Sequence, residues 1–310
     1  MDVNAAPDAG YPAVFRQYIQ RGAQVALETV RSAGPVLPPE QREQSLHTLE
    51  YAMSLPEAWP TARDLLIDLG PRLDRAGMRQ DAAQFLQRAI EQCEALGDDA
   101  GRAEFEVQLA ALRVAAGRMD EARALLQAGA ARFAALGDRH NQARALNNWA
   151  MIEYTQQRSE SAAHLVQQAM SMVSPDNSET TYGQVILGFL ATERHDWAAA
   201  LDYFQLALAG WPRHNEPVME ARSLSSLGTA QRGLGLFDEA IGSFTKAIAL
   251  MEILGDPVNQ AITRMNLGNL YWAKGEPQQA LALFVLAEPV FRQTQDDFRL
   301  ARVSNSLGVV

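Results

Sequence analysis

The sequence predicts an all-α protein: a right-handed α-solenoid of stacked antiparallel helix pairs. Three observations predict it. A set of marks recurs every 40 residues, apolar residues recur at helical spacing between the marks, and glycines fall where helices must stop. The first mark is a bulky residue followed by a small one: Leu69-Gly70, Leu109-Ala110, Trp149-Ala150, Leu187-Gly188, Leu227-Gly228, Leu267-Gly268 and Leu307-Gly308. Each step is 40 residues, except the 38 that lead into Gly188.

Three further marks hold the same register. An alanine stands twelve residues after each small residue (Ala82, Ala122, Ala162, Ala200, Ala240, Ala280), and four residues later comes a bulky apolar one (Leu86, Leu126, Val166, Phe204, Phe244, Phe284). A glycine stands seven after the first mark at Gly77, Gly117, Gly235 and Gly275, and is replaced by Gln157 and His195. Leu-Gly-Asp closes the unit at residues 96–98, 136–138 and 254–256.

Each unit reads as two helices. The first carries apolar residues at spacings of three and four, such as Leu224, Leu227 and Ala230, and ends at the mid-unit glycine. The second carries Ala-x3-Phe and ends at Leu-Gly-Asp. Neither can bury its apolar stripe alone, and stacked pairs can.

In chain order, residues 1–62 do not keep the register and read as a diverged N-terminal helical cap. It holds helices at about 12–33 and 39–54, with Met1–Gly10 frayed. The units then run 63–102, 103–142, 143–180, 181–220, 221–260 and 261–300, with a partial seventh at 301–310. Pro71 and Pro289 fall inside helices and are expected to kink or end them. Ser174-Pro175-Asp176-Asn177-Ser178 replaces Leu-Gly-Asp and predicts a turn and a local irregularity. The seventh unit stops where its turn should come. Leu307, Val309 and Val310 are left without a second helix, which reads as a fragment or a short natural end, or as an end that docks on another subunit.

The pattern resembles the tetratricopeptide repeat, Leu-Gly-x2-Tyr then Ala-x3-Phe, matched by Leu267-Gly268-x2-Tyr271 and Ala280-x3-Phe284. The 40-residue period is longer than the usual 34 and is similar to Pins-type scaffolds and to sensor regions of bacterial signal-transduction ATPases. The resemblance covers about residues 63–310. It implies first helices that line a concave face and a role in holding protein partners.

Composition narrows the function classes. Twenty-seven Lys and Arg against 37 Asp and Glu leave a formal charge of −10, a poor match to nucleic-acid phosphates. One cysteine, Cys93, excludes an intramolecular disulfide and a multi-cysteine zinc site. The five histidines never pair at helical ligand spacing, and neither a metal nor a cofactor is expected. No secretory signal opens the chain, no apolar run approaches membrane-spanning length, and a cytoplasmic location is expected. Gly233-Leu234-Gly235 sits at a repeat turn without the strand and lysine of a nucleotide loop. No spacing proposes a catalytic constellation, so an enzyme is not expected.

The helical period names an exposed stripe on the first helices. It comprises Arg144, Asn147, Asn148, Met151 and Tyr154; Tyr182, Val185, Ile186, Phe189 and Glu193; Arg222, Ser225, Ser226, Thr229 and Arg232; and Ile262, Met265, Asn266, Asn269 and Trp272. Asparagine is a middling helix former whose amide can donate to and accept from a peptide backbone. Charge is polarised: Asp64, Asp68, Asp74 and Glu104 against Arg75 come early, and Arg144, Arg222, Arg232 and Arg302 against Glu193 later. Arginine forks suit carboxylates, and Tyr154, Tyr182, Phe189 and Trp272 offer aromatic anchors. The resemblance implies a peptide site built from lysines and asparagines; this stripe has the asparagines but no lysine.

The candidate partner residues are therefore Arg144, Asn147, Asn148, Tyr154, Tyr182, Phe189, Arg222, Arg232, Asn266, Asn269 and Trp272. The expected partner is a protein or peptide with its acidic part towards units three to six, with neither nucleic acid nor membrane involved. The open C-terminal end offers a self-association surface. The alternative reading is a small-ligand or inducer-sensing region of a larger signalling or transcriptional regulator.

Overall fold

The computed structural model describes residues 13–33, 37–294 and 297–309, and the expectations for Met1–Gly10 and Val310 lie outside them. Among the described residues there are fifteen α-helices, one 3-10 turn at Pro56–Ala58 and no strand. The chain is an all-α helical repeat solenoid. It divides into two compact units, Met1–Ile152 and Glu153–Val310.

The first unit holds α1 (Ala13–Ser32), α2 (Pro39–Ala52), α3 (Trp59–Arg75), α4 (Arg79–Leu96), α5 (Asp99–Ala115) and α6 (Met119–Leu136). Helix α7 (Arg139–Thr155) begins in this unit. The second unit holds α8 (Ser159–Met172), α9 (Ser178–Glu193), α10 (Trp197–His214), α11 (Pro217–Gly233), α12 (Phe237–Ile253), α13 (Pro257–Ala273), α14 (Pro277–Gln293) and α15 (Asp297–Val309). None of these helices is long and apolar enough to cross a membrane.

The recurring marks have distinct physical jobs. In Leu-Gly-Asp the glycine takes a left-handed backbone and stops the second helix, with φ of 70° at Gly97 and 71° at Gly137. The aspartate then caps the next helix: Asp98 accepts from the Gly101 amide at 2.9 Å and Asp256 from the Asn259 amide at 3.1 Å. Burial pushes the Asp98 carboxyl up. The Gly101 amide, the Trp59 indole and Arg63 more than offset this, and the group ends below the usual carboxylate range. Where the mid-pair glycine is missing, the backbone keeps the left-handed turn anyway: Gln157 and His195 both have φ of 59°.

The small residue of the first mark and the phenylalanine sixteen places later touch. A Cβ built on Gly188, Gly228 or Gly268 would lie 2.6, 2.9 and 2.6 Å from the rings of Phe204, Phe244 and Phe284. Those rings are at most 1% exposed, and each burial contributes about 1.5–3 kcal/mol. In the first unit a continuous core joins Val30, Leu49, Trp59, Leu66, Leu86 and Phe105.

Neither Pro71 nor Pro289 ends its helix: α3 and α14 run through them. Pro71 withdraws the amide that the Ile67 carbonyl would accept four residues earlier. The Gln108 side chain of α5 supplies that donor instead, at 3.1 Å. Packing on the neighbouring helix thus replaces the missing hydrogen bond.

Two glycine substitutions separate helix propensity from packing. Gly242→Ala, where a Cβ meets nothing within 4 Å, should raise stability by about 0.5–1 kcal/mol. Gly268→Ala should lower it by about 1 kcal/mol or more, because overpacking against Phe284 outweighs the helix gain. Urea unfolding of the two variants checks both signs.

Candidate functional site

The second unit contains a cleft of about 330 Å3 between first helices of successive pairs. Its walls are Arg222, Ser225, Ser226 and Thr229 of α11, Asn259, Ile262, Thr263 and Asn266 of α13, Phe189 and Thr192 of α9, and Arg299 of α15, with Phe204 and Met251 from second helices. Among the described residues, two arginines and several hydroxyls and amides line it, and no carboxylate does. The hydroxyls turn back on their own helix: Ser226 donates to the Arg222 carbonyl at 3.1 Å and Thr229 to that of Ser225 at 3.2 Å. Arg222 and the Asn266 amide are thus left to donate to an incoming group.

Charge is distributed unevenly around the cleft. Arg222 is exposed and forms no ion pair among the described residues. Arg232 is half-buried, and burial together with the Arg302 charge pulls its guanidinium below the ordinary arginine value. Arg302 lies over the Phe298 ring, 5.8 Å from its centre. Burial pushes the Tyr182 hydroxyl up, and the nearby Arg222 partly offsets this.

An aromatic wall runs beside the cleft. Tyr154 stacks on Phe189 with ring centres 5.6 Å apart, and Phe189 meets Phe204 edge-on at the same distance. Asn269 is half-buried on α13, and Trp272 is 40% exposed near its end.

The first unit differs from the polarised stripe that the sequence suggests. Its carboxylates are neutralised locally: Arg31 holds Asp68 at 2.7 Å, Arg63 holds Asp64 at 2.9 Å, Arg79 holds Asp74 at 2.7 Å, and Arg144 pairs with Glu104. Arg144 is therefore engaged within the protein. The exposed stripe is also narrower than expected. Asn147 is buried, as are Val185, Ile186 and Met265, while Asn148 is half-buried. A helix inside a stack touches neighbours on several sides, so only a thin arc of each first helix stays open. Thr192, Phe204, Met251, Asn259, Thr263 and Arg299 were missed. Asn259 and Arg299 stand three residues before Ile262 and Arg302, so extending each stripe by one turn finds them.

Other reactive groups do not gather. Cys93 is buried, which pushes its thiol up to about 12, far from a reactive thiolate. Among the described residues no three His, Cys, Asp or Glu side chains come close enough to hold a metal ion.

The different fates of two arginines give a stability test. Arg144→Ala should cost about 1 kcal/mol through the lost Glu104 pair. Arg222→Ala should change stability by less than about 0.5 kcal/mol. Thermal unfolding of the two variants distinguishes them.

The profile of the tetratricopeptide repeat family matches residues 99–174 and 219–293. No curated protein sequence matches the chain. Among solved structures, the chain is similar to a Rap protein complexed with competence and sporulation factor, with a TM-score of 0.66 and 13% identity over 94% of this chain and 80% of that one. It is similar to a Parabacteroides merdae tetratricopeptide repeat protein, with a TM-score of 0.61 and 16% identity over 93% and 98%. It is also similar to a signal transduction ATPase with numerous domains and a tetratricopeptide repeat sensor, from Pyrococcus horikoshii. That match has a TM-score of 0.61 and 15% identity, over 87% of this chain but 43% of the ATPase. Residues 99–174 and 219–293 thus carry tetratricopeptide repeats, and the fold around them is that of a tetratricopeptide-repeat solenoid.

Proposed function

We propose that the chain is a non-enzymatic protein-interaction scaffold whose second unit holds an acidic segment of a partner in the cleft between α9, α11, α13 and α15. One observation carries the reading: Arg222 lines the cleft without an ion pair among the described residues, no described carboxylate lines it, and Arg232 and Arg302 lie close to one another. A guanidinium without an internal partner is available for bidentate contact with a carboxylate. Asn266 and Asn269 on the same helix suit a peptide backbone. The Tyr154–Phe189 wall offers an apolar anchor beside the charged end, which favours a segment with an apolar residue next to its acidic one.

The site residues divide accordingly. Arg222, Arg232, Asn266, Asn269, Tyr154, Tyr182, Phe189 and Trp272 remain as partner-binding candidates. Arg144 and Asn147 belong to the packing of the first unit, and Asn148, half-buried there, does not line the cleft. Support comes also from a protein of the same fold seen in complex with a factor. The buried single cysteine suits a reducing compartment, and we place the protein in the cytoplasm.

A second reading has its own observation. A volume near 330 Å3 falls at the lower end of the ~300–1,000 Å3 range of small-molecule pockets, so an inducer could occupy the same cleft.

Selection from a displayed random-peptide library, on wild type and on Arg222→Glu/Arg232→Glu, tests the peptide reading. Wild type should enrich acidic sequences that bind more weakly as salt rises, and the double variant should lose at least tenfold in affinity for them. Absence of acidic enrichment, or equal binding by the variant, removes the peptide reading. A thermal shift with small anionic metabolites would then favour the sensor.

A further inference from the structure

The repeats provide an internal control for surface chemistry. One outward position on the second helix of each pair is exposed in every repeat. It is Gln87, Gln127, Gln167, Gln205 and Thr245 in the first five, and Val285 in the sixth. The next position is Arg88, Ala128, Gln168 and Lys246 in four repeats and leucine in two, Leu206 and Leu286, so only the sixth repeat joins two exposed apolar residues there. Val285 and Leu286 are each 53% exposed, and Leu281 is 41% exposed on the same helix. Ala282 and Pro289 are exposed on that face as well.

Among the described residues, nothing covers the exposed half of Val285 or Leu286. Valine is a poorer helix former than the glutamine that four other repeats use, and its exposure wastes apolar surface. A contact from outside the chain removes both objections. The cleft described above uses no residue of α14, so this surface is separate from it.

The pattern along the helix indicates what covers it. About the midpoint between Val285 and Leu286, the exposed face is symmetric in polarity. Ala282 mirrors Pro289, Gln279 mirrors Arg292, and Gln278 mirrors Gln293. When two identical helices cross antiparallel at that midpoint, apolar side chains meet apolar ones and polar ends meet polar ends. No like charges oppose each other: Arg292 faces the partner's Gln279, and Glu288 is held by Arg292 of its own helix at 2.7 Å. Such self-complementarity is what a two-fold interface requires, and an unrelated partner would not need it.

We propose that the outer face of α14 is a self-association surface, on which α14 of a second copy packs antiparallel with Val285 and Leu286 at the centre. The helix has 17 residues, about 25 Å of length, so one helix pair covers less than the ~800 Å2 per partner of a standard interface. The dimer is therefore weak and concentration-dependent.

Sedimentation velocity across a concentration series, up to hundreds of micromolar, tests this. Wild type should move from monomer towards dimer mass. Val285→Gln/Leu286→Lys, which installs residues the earlier repeats already carry there, should stay monomeric with unchanged helical circular dichroism. A wild type that stays monomeric throughout overturns the proposal, as does a dimer that survives the double substitution. Cysteine scanning gives a second readout, because buried Cys93 does not compete. Leu286→Cys should form a covalent dimer under mild oxidation, and Gln168→Cys, at the equivalent position of the third repeat, should not. Equal crosslinking at both sites, or none at either, also overturns it.

Discussion

The contact between a glycine on a first helix and a phenylalanine ring on the second is the constraint on which the repeat depends. At Gly188, Gly228 and Gly268 the ring sits where a side chain would start, so the two helices approach at backbone distance on one side. That approach buries Phe204, Phe244 and Phe284 completely or nearly so. It also fixes the rotation of the first helix, and the rotation decides which residues face the next pair and which face the cleft. Arg222 and Asn266 line the cleft because Leu227 and Leu267, one face away, are committed to the core.

The two ends of each pair solve a different problem, that of leaving a helix and starting another within a few residues. Glycine stops one helix with a left-handed residue, and aspartate supplies the acceptor that starts the next. Where a glycine is replaced the left-handed backbone persists, at Asn215 after a second helix and at Gln157 and His195 within pairs. The turn is thus set by the stacking of the helices it joins. The same dominance of packing over local preference explains why Pro71 sits inside an unbroken helix. The carbonyl it orphans is met by Gln108.

Function in such a fold resides in what the repeats do not share. The shared marks are buried or lie in turns. The unshared positions carry Arg222 of the cleft, the aromatic wall of Tyr154 and Phe189, and the apolar outer face of α14. The first unit places Arg31, Arg63, Arg79 and Arg144 against its own carboxylates. The second leaves Arg222 without one, and Arg232 beside another arginine. Equal residue types therefore serve stability in one unit and an open site in the other.

The sequence by itself determined the helix pairs, their turns and the residues that fill them. Each of those depends on neighbours within about one repeat, and six copies repeat the signal. It also placed Arg222, Ser225, Ser226, Thr229 and Asn266 on one helical arc. Only the tertiary structure decided which of the arc stays open and which charges stay free. Asn147 and Met265 share the arc yet are buried, because exposure depends on how closely the flanking helices press. Arg144 shares the charge of Arg222 yet is spent on Glu104, a residue 40 positions away. Pairing across such a distance leaves no local trace in sequence, since any of several arginines could have reached that carboxylate.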